Sequence, residues 1–210
     1  MFPFVLLTLV ALAALLLSRW RGSQPGAWIA KPLASAGFVA AALAAGATQT
    51  PYGRLVLAAL VLSWLGDVLL IPKQVKTAFL AGLLAFLLGH VAFAAAFVVR
   101  GVSLPALAVA FALVSIPLAL ALRWLAPHVE GPMKLPVRAY VLVISVMVAC
   151  AGATVWEVGN PVVLAGALAF YASDLAVARA RFVAHGFANE LWGLPLYYGA
   201  QLLLASTVAG

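Results

Sequence analysis

Acidic residues are nearly missing from this sequence: five Asp and Glu among 210 residues, beside twelve Lys and Arg and three His. Charged residues make up 8% of the chain and hydrophobic ones 67%, whereas a soluble domain carries roughly a quarter charged residues. A chain of this size cannot hide so much apolar surface inside itself. An ordinary water-soluble domain is therefore excluded, and a bilayer is called for. The net charge of +7 is spread between apolar spans and forms no stripe or patch, which excludes nucleic acid as a partner. Cysteine is limited to Cys150, in an apolar run, so no internal disulfide can form. A P-loop, a nucleophile elbow and a dinucleotide fingerprint are all missing. Histidine is too sparse for a metal site: His128 and His185 fall in loops, away from the span that holds His90. A zinc hydrolase would want three ligands on adjacent helices. Neither a metal nor a cofactor is expected.

What is present is a series of long apolar runs. Breaks at Gly, Pro and charge clusters divide the chain into eight: roughly 3–18, 32–47, 54–71, 78–99, 103–125, 137–155, 161–178 and 191–208. A span needs about 20 apolar residues, and only helices or closed barrels satisfy their backbone in lipid. The runs lack the alternation of barrel strands. The fold class expected is an all-α integral membrane protein of eight transmembrane helices, a single domain over 1–210. The first run is read as a retained helix, because its arginines follow the apolar core and no small-x-small cleavage site appears.

Loop charge sets the orientation. The loops after the odd-numbered runs hold Arg19, Arg21, Lys31, Lys73, Lys76, Arg123, Lys134, Arg138, Arg179 and Arg181, ten bases, against Arg54 and Arg100 on the other side. That asymmetry puts both termini outside and the odd-numbered loops in the cytoplasm. Trp20, Trp28, Trp124, Trp156 and Trp192 fall near span ends, as an aromatic belt does. The alanine-rich, lysine-poor composition is that of a high-GC bacterium, so the membrane expected is the inner, cytoplasmic one.

"VLAALVLSWLGDVLL" from Val56 and "VLAGALAFYASDLAV" from Val163 can be superposed at an offset of 107, with Asp67 on Asp174. The same offset lays Lys31 on Arg138 and His90 on Tyr197. Two parallel four-helix halves, about 1–102 and 103–210, would produce this. Chance alignment of apolar sequence is the competing explanation.

Ionisable groups in lipid cost at least a few kcal/mol and normally face a bundle interior or a wet cavity. Asp67 and Asp174 lie near the cytoplasmic ends of the third and seventh runs. Lys31, Tyr140, His90, Tyr197, Tyr198 and Gln201 are distributed so that one polar pocket in the inner half of the bundle could gather them. Simpler roles compete: a snorkelling Asp, a packing His90, tyrosines that fill the core, a Gln201 that merely joins two helices. Glu157 and Glu190 are read as solvated helix ends, and Gly66, Gly82 and Gly89 as places where helices approach closely.

"KPLAS", "GDVLL", "FLAGLLAFLLGHVAFAAAF", "LAGALAFYASDLAVA" and "YYGAQLLLA" together resemble, in order and over essentially the whole chain, the YhhN-type lysoplasmalogenase family. Phe93 departs from the pattern, where members often carry tyrosine. The resemblance implies an eight-helix membrane enzyme that hydrolyses the vinyl ether bond of a lysophospholipid, releasing a fatty aldehyde and glycerophosphoethanolamine or glycerophosphocholine. It implies Asp67 and Asp174 as the acidic pair, with Lys31, His90, Tyr198 and Gln201 as further motif positions. Membrane lipids and the lysophospholipid substrate are the partners it implies.

The chemistry suits two carboxylates. A proton must add to the outer alkene carbon, and an oxocarbenium ion must then be stabilised until water attacks, as in glycosidases. Asp67 has no base within five residues in sequence, which suits a carboxyl kept protonated by burial and a like charge. Which Asp is the acid is left open, with a slight preference for Asp174. His90, Tyr198 and Gln201 are expected to fix water or the departing oxygen, and Lys31 and Arg138 to meet the substrate phosphate at the cytoplasmic rim. The competing class is a proton-coupled transporter, since paired intramembrane Asp residues also build proton relays.

Overall fold

The computed structural model describes residues 1–72 and 74–209. Among them are eight α-helices and no strands: α1 (Phe2–Trp20), α2 (Gln24–Ala44), α3 (Pro51–Leu69), α4 (Lys76–Arg100), α5 (Leu104–Leu125), α6 (Lys134–Val158), α7 (Pro161–Ala178) and α8 (Phe187–Ser206). Seven of these, all but α8, belong to stretches long and apolar enough to cross a membrane. Lys73, one of the ten bases used for orientation, lies outside the described residues.

Local chemistry sets the boundaries. Ser23, Thr50 and Asn160 each precede a helix and accept a backbone N–H from Gly26, Gly53 and Val162. Each of these helices also has proline in its first turn, where the missing N–H costs nothing. Gly159 ends α6 with φ +76°, a left-handed turn that suits glycine. The structure corrects the expected start of the second span. α2 begins at Gln24, eight residues before the sequence reading, and passes through Lys31 and Pro32. Lysine and proline were taken as breakers, yet Pro32 sits inside the helix, as interior prolines do in membrane helices, and the lysine finds a partner inside the bundle.

Successive helices form antiparallel hairpins, α1 on α2, α3 on α4, α5 on α6 and α7 on α8, and the hairpins are joined where α4 packs on α6 and α2 on α8. Glycines allow the closest approaches. A Cβ on Gly66 would lie 2.6 Å from the Phe86 ring, and one on Gly193 would lie 2.5 Å from the Ala176 Cβ. α5 buries only Ala121 and Leu125 and turns Val109, Leu113, Ile116 and Leu120 outward, as a helix facing acyl chains does. At the end of the bundle away from the odd-numbered loops, the Tyr52 hydroxyl meets Thr207 Oγ1 at 2.5 Å, and Arg100 donates to the Thr207 carbonyl at 2.8 Å while lying over the Tyr52 ring. The opposite end is open.

Candidate active site

A cavity of about 780 Å³ enters the bundle at the end formed by the α1–α2, α3–α4 and α7–α8 connections. Both aspartates line it. They reach it from matching places, the last turn of α3 and the last turn but one of α7, but their surroundings differ.

Asp67 is 2% exposed. Its Oδ1 pairs with Lys31 Nζ at 3.0 Å. Its Oδ2 accepts from Ser35 Oγ and from the Tyr197 hydroxyl, each at 2.6 Å. Lys31 Nζ also donates to the Asp67 carbonyl at 3.1 Å. Both oxygens are thus occupied by donors, which is how an ionised carboxylate is satisfied in an apolar interior. The lack of a base within five residues of Asp67 in sequence does not carry over into space, where Lys31 is its partner. Lys31 stands 36 positions away in sequence and one helix away in space. The pairing corrects the placing of Lys31 at the rim for a substrate phosphate, since the lysine is 7% exposed and committed to Asp67.

Asp174 is more open, with its side chain 16% exposed. Its Oδ2 accepts from the Tyr140 hydroxyl at 2.7 Å and lies 3.1 Å from His90 Nε2. His90 Nε2 and the Tyr140 hydroxyl are themselves 2.9 Å apart. Since Tyr140 gives its proton to Asp174, the consistent tautomer has the hydrogen of His90 on Nε2, directed at the same carboxyl. Among the described residues nothing hydrogen-bonds Asp174 Oδ1.

The remaining candidates divide. Tyr140 and Tyr197 line the cavity. His90 is fully buried and reaches the site only through Asp174 and Tyr140. Tyr198 lies behind Ser35 and the Lys31 carbonyl, at 3.3 and 3.4 Å. Gln201 is fully buried and does not line the cavity, so a role in holding cavity water is not where the structure puts it. Arg138 is exposed beside a shallow groove between α5 and α6, away from the aspartates. Its expected place at the mouth is overturned, because α6 turns that position outward while Tyr140, two residues on, faces in.

Two groups of residues were missed. Ser35 completes the Asp67 cluster; it is one turn after Lys31 on α2, and that spacing was the available signal. At the mouth, Arg19 Nε pairs with Glu190 Oε2 at 3.3 Å, and Arg181 lies over the Phe79 ring at 4.2 Å. Glu190, read as a solvated helix end, instead lines the cavity with its side chain 21% exposed. Among the described residues no group of three or more His, Cys, Asp or Glu is placed to hold a metal ion.

Two carboxylates on one cavity of about 780 Å³, within an apolar helical bundle, define the class: a helical protein of membrane-spanning composition with a mainly apolar chamber that carries a polar cluster and is open at one end. The chain belongs to the YhhN family, whose model matches residues 26–208. It is 32% identical over 182 residues to the lysoplasmalogenases of Mycobacterium bovis and Mycobacterium tuberculosis. Those alignments cover 80% of this chain and 66% of each relative, a little under two thirds of their length. No solved structure matches the chain significantly.

Proposed function

We propose that this protein is a membrane hydrolase that cleaves the vinyl ether bond of lysoplasmalogens by carboxylate acid–base catalysis, with Asp174 as the acid. The observation that carries this reading is the asymmetry of the two aspartates around one cavity. Asp67 is held as an anion by Lys31, Ser35 and Tyr197. Asp174 keeps one oxygen unbonded beside the chamber.

The proton of Asp174, on Oδ1, transfers to the outer alkene carbon, and the ether oxygen shares the resulting positive charge as an oxocarbenium ion. Tyr140 and His90, already donating to Oδ2, stabilise the carboxylate left behind, so its charge develops against fixed donors. Water adds to the carbon next to oxygen and gives a proton back to Asp174. The hemiacetal then breaks its C–O bond to the glycerol oxygen, which takes up a proton and leaves as alcohol, while the carbon becomes the aldehyde. One water is consumed, and the acid is regenerated. Lys31 Nζ uses two of its three N–H groups on Asp67, and the third is available to the departing oxygen. The alkenyl chain occupies the apolar part of the cavity near Phe86, Leu83 and Ile144.

On this reading all eight helices span the bilayer, both termini lie outside, and the cavity opens on the cytoplasmic face of the inner membrane, the side marked by the basic loops. The decisive experiment incubates purified protein with lysoplasmenylethanolamine and measures released aldehyde, beside Asp174→Asn and Asp67→Asn. Aldehyde release lost in Asp174→Asn supports the reading. Intact substrate with folded wild type, or full activity in Asp174→Asn, overturns it. Uptake of intact lipid into proteoliposomes without aldehyde would favour the transporter class.

A further inference from the structure

We propose that Ser63, His90 and Gln201 hold a buried water molecule one helical turn beneath the aspartates, and that this water sets the tautomer with which His90 serves Asp174. The site is separate from the cavity, since none of the three residues lines it. The inference deepens the hydrolase reading and rests on it only for the activity arm of its test.

All three residues are fully buried. Among the described residues, four of their side-chain atoms have no hydrogen-bond partner: Ser63 Oγ, His90 Nδ1, and both Oε1 and Nε2 of Gln201. The Gln201 amide comes near the Tyr197 hydroxyl but forms no well-aligned hydrogen bond with it. Unpaired polar atoms are uncommon in a folded interior, and each carries a desolvation penalty if nothing meets it.

The helices bring these atoms to one depth. Ser63 precedes Asp67 by one turn on α3, and Gln201 follows Tyr197 by one turn on α8. The two helices run in opposite directions, and the Tyr197 hydroxyl bonds Asp67 Oδ2 at 2.6 Å. Ser63 and Gln201 therefore lie level with each other, on the side of that bond away from the cavity mouth. α3 packs on both α8 and α4. On α4, a Cβ added to Gly89 would lie 3.3 Å from Ser63 Oγ, which puts the next residue, His90, in the same layer. The Phe170 ring contacts both His90 and Tyr197, with centroids 4.5 and 5.5 Å away, so both side chains turn toward the middle of the bundle.

The chemistry of the four atoms selects the occupant. With the His90 hydrogen on Nε2, directed at Asp174, Nδ1 is an acceptor. Gln201 adds one acceptor and one donor group, and Ser63 adds a hydroxyl donor. Two acceptors and two donors are the complement of one water, with its two hydrogens and two lone pairs. A cation would face the Gln201 N–H, an anion would face lone pairs, and an apolar group would satisfy none of the four. Water held there donates to Nδ1. That donation keeps the ring hydrogen on Nε2, as the partner of one imidazole nitrogen fixes the state of the other. Asp174 Oδ2 then retains two donors, Tyr140 and His90. Ser63 and Gln201 are positioning residues that act on Asp174 through the water and His90.

The test is nitrogen NMR of protein with isotope-labelled histidine, in detergent, with aldehyde release measured on the same samples. The signals of His128 and His185, both exposed, are assigned with His128→Gln and His185→Gln, which leaves that of His90. Wild type should show His90 as the Nε2–H tautomer, with magnetisation passing from water to its ring. Gln201→Met, alone or with Ser63→Ala, should lose that transfer and mix the two tautomers. In both variants kcat should fall by about tenfold, the loss of one hydrogen bond at Asp174, with KM unchanged. A wild type with the hydrogen on Nδ1, or with no transfer from water, overturns the inference without any variant. Variants that lower kcat while His90 keeps its single tautomer overturn it as well, because the loss is then structural only. A water-dependent tautomer with no aldehyde from any sample would sink the hydrolase reading and leave the water site standing. Aldehyde release by a wild type whose His90 receives nothing from water would do the reverse.

Discussion

Lys31→Met is the most informative single substitution in the bundle. Methionine has a similar length and no charge, so it leaves Asp67 buried with Ser35 and Tyr197 as its only side-chain donors. Neither side chain of the pair is more than 9% exposed, so water screens it little. Removing one partner of a buried ion pair costs about 3–5 kcal/mol, mostly the price of an uncompensated charge. Replacing both partners by apolar groups is often neutral. Lys31→Met should therefore lower stability by about 3 kcal/mol or more, and Lys31→Met with Asp67→Leu should recover most of that loss. The coupling between the two sites, read from a double-mutant cycle, should fall well outside additivity.

The measurement is reversible unfolding in mixed micelles, followed by tryptophan fluorescence, for wild type, both single variants and the double variant. Aldehyde release is assayed on the same samples. The double variant separates two roles that a single substitution confounds. If it regains stability but remains inactive, the pair supplies chemistry or geometry to the site as well as holding the helices. If Lys31→Met is as stable as wild type, Asp67 is not an anion held by Lys31, and the assignment of Asp174 as the acid loses its main support.

Four further outcomes are expected. Tyr140→Phe, which removes one donor to Asp174 Oδ2, should lower kcat by about ten- to hundredfold with KM nearly unchanged, because a hydrogen bond to a charged group contributes about 1.5–3 kcal/mol; a change confined to KM would argue against its role on the carboxylate. Gly66→Ala forces a methyl to 2.6 Å from the Phe86 ring and should destabilise by about 1–3 kcal/mol, as overpacking does, measured by the same unfolding. Arg138→Ala should leave aldehyde release within twofold of wild type, roughly the range of an exposed substitution, whereas a large loss would restore Arg138 to the substrate path. Treatment with EDTA should not change the rate; a loss reversed by added metal would refute a purely carboxylate mechanism.

Helix number and the identity of the inward-facing groups were legible because both follow from the cost of polar groups in lipid. A leucine-rich run must be helical, and an aspartate within it must find company. What a linear reading could not supply was the partner. Lys31 was assigned to the rim because it opens the expected second span, and only the packing of α2 on α3 shows that its ammonium turns inward. Arg138 followed it through the offset of 107 and was wrong for the same reason. The offset equates positions, but Tyr140, two residues on, is the one that α6 turns to the cavity. Glu190 was read as solvated because it lies at a helix end; its pairing with Arg19 depends on α1 and α8 meeting, which no local pattern encodes.

At His90 and Tyr197 the offset bears on mechanism. His90 of α4 reaches Asp174 on α7, and Tyr197 of α8 reaches Asp67 on α3. Asp67 takes two partners from its own half, Lys31 and Ser35, and Asp174 takes one, Tyr140; each takes one more from the other half, Tyr197 and His90, which the offset makes equivalent. A duplicated four-helix unit whose copies diverged at the partners would produce this reciprocity. The divergence is what the proposed hydrolase needs. Two aspartates in equal surroundings would share a proton symmetrically, which suits a relay. An ammonium beside one, with hydroxyl and imidazole donors on a single oxygen of the other, breaks the symmetry into an anion and an acid. Swapping the partners tests the point: Tyr197→His should leave Asp174 the acid, since His90 and Tyr140 still serve it. The loss of activity in Asp174→Asn should therefore persist in that background. Activity surviving Asp174→Asn there would mean that the two aspartates are interchangeable and that the asymmetry of their partners does not assign the proton.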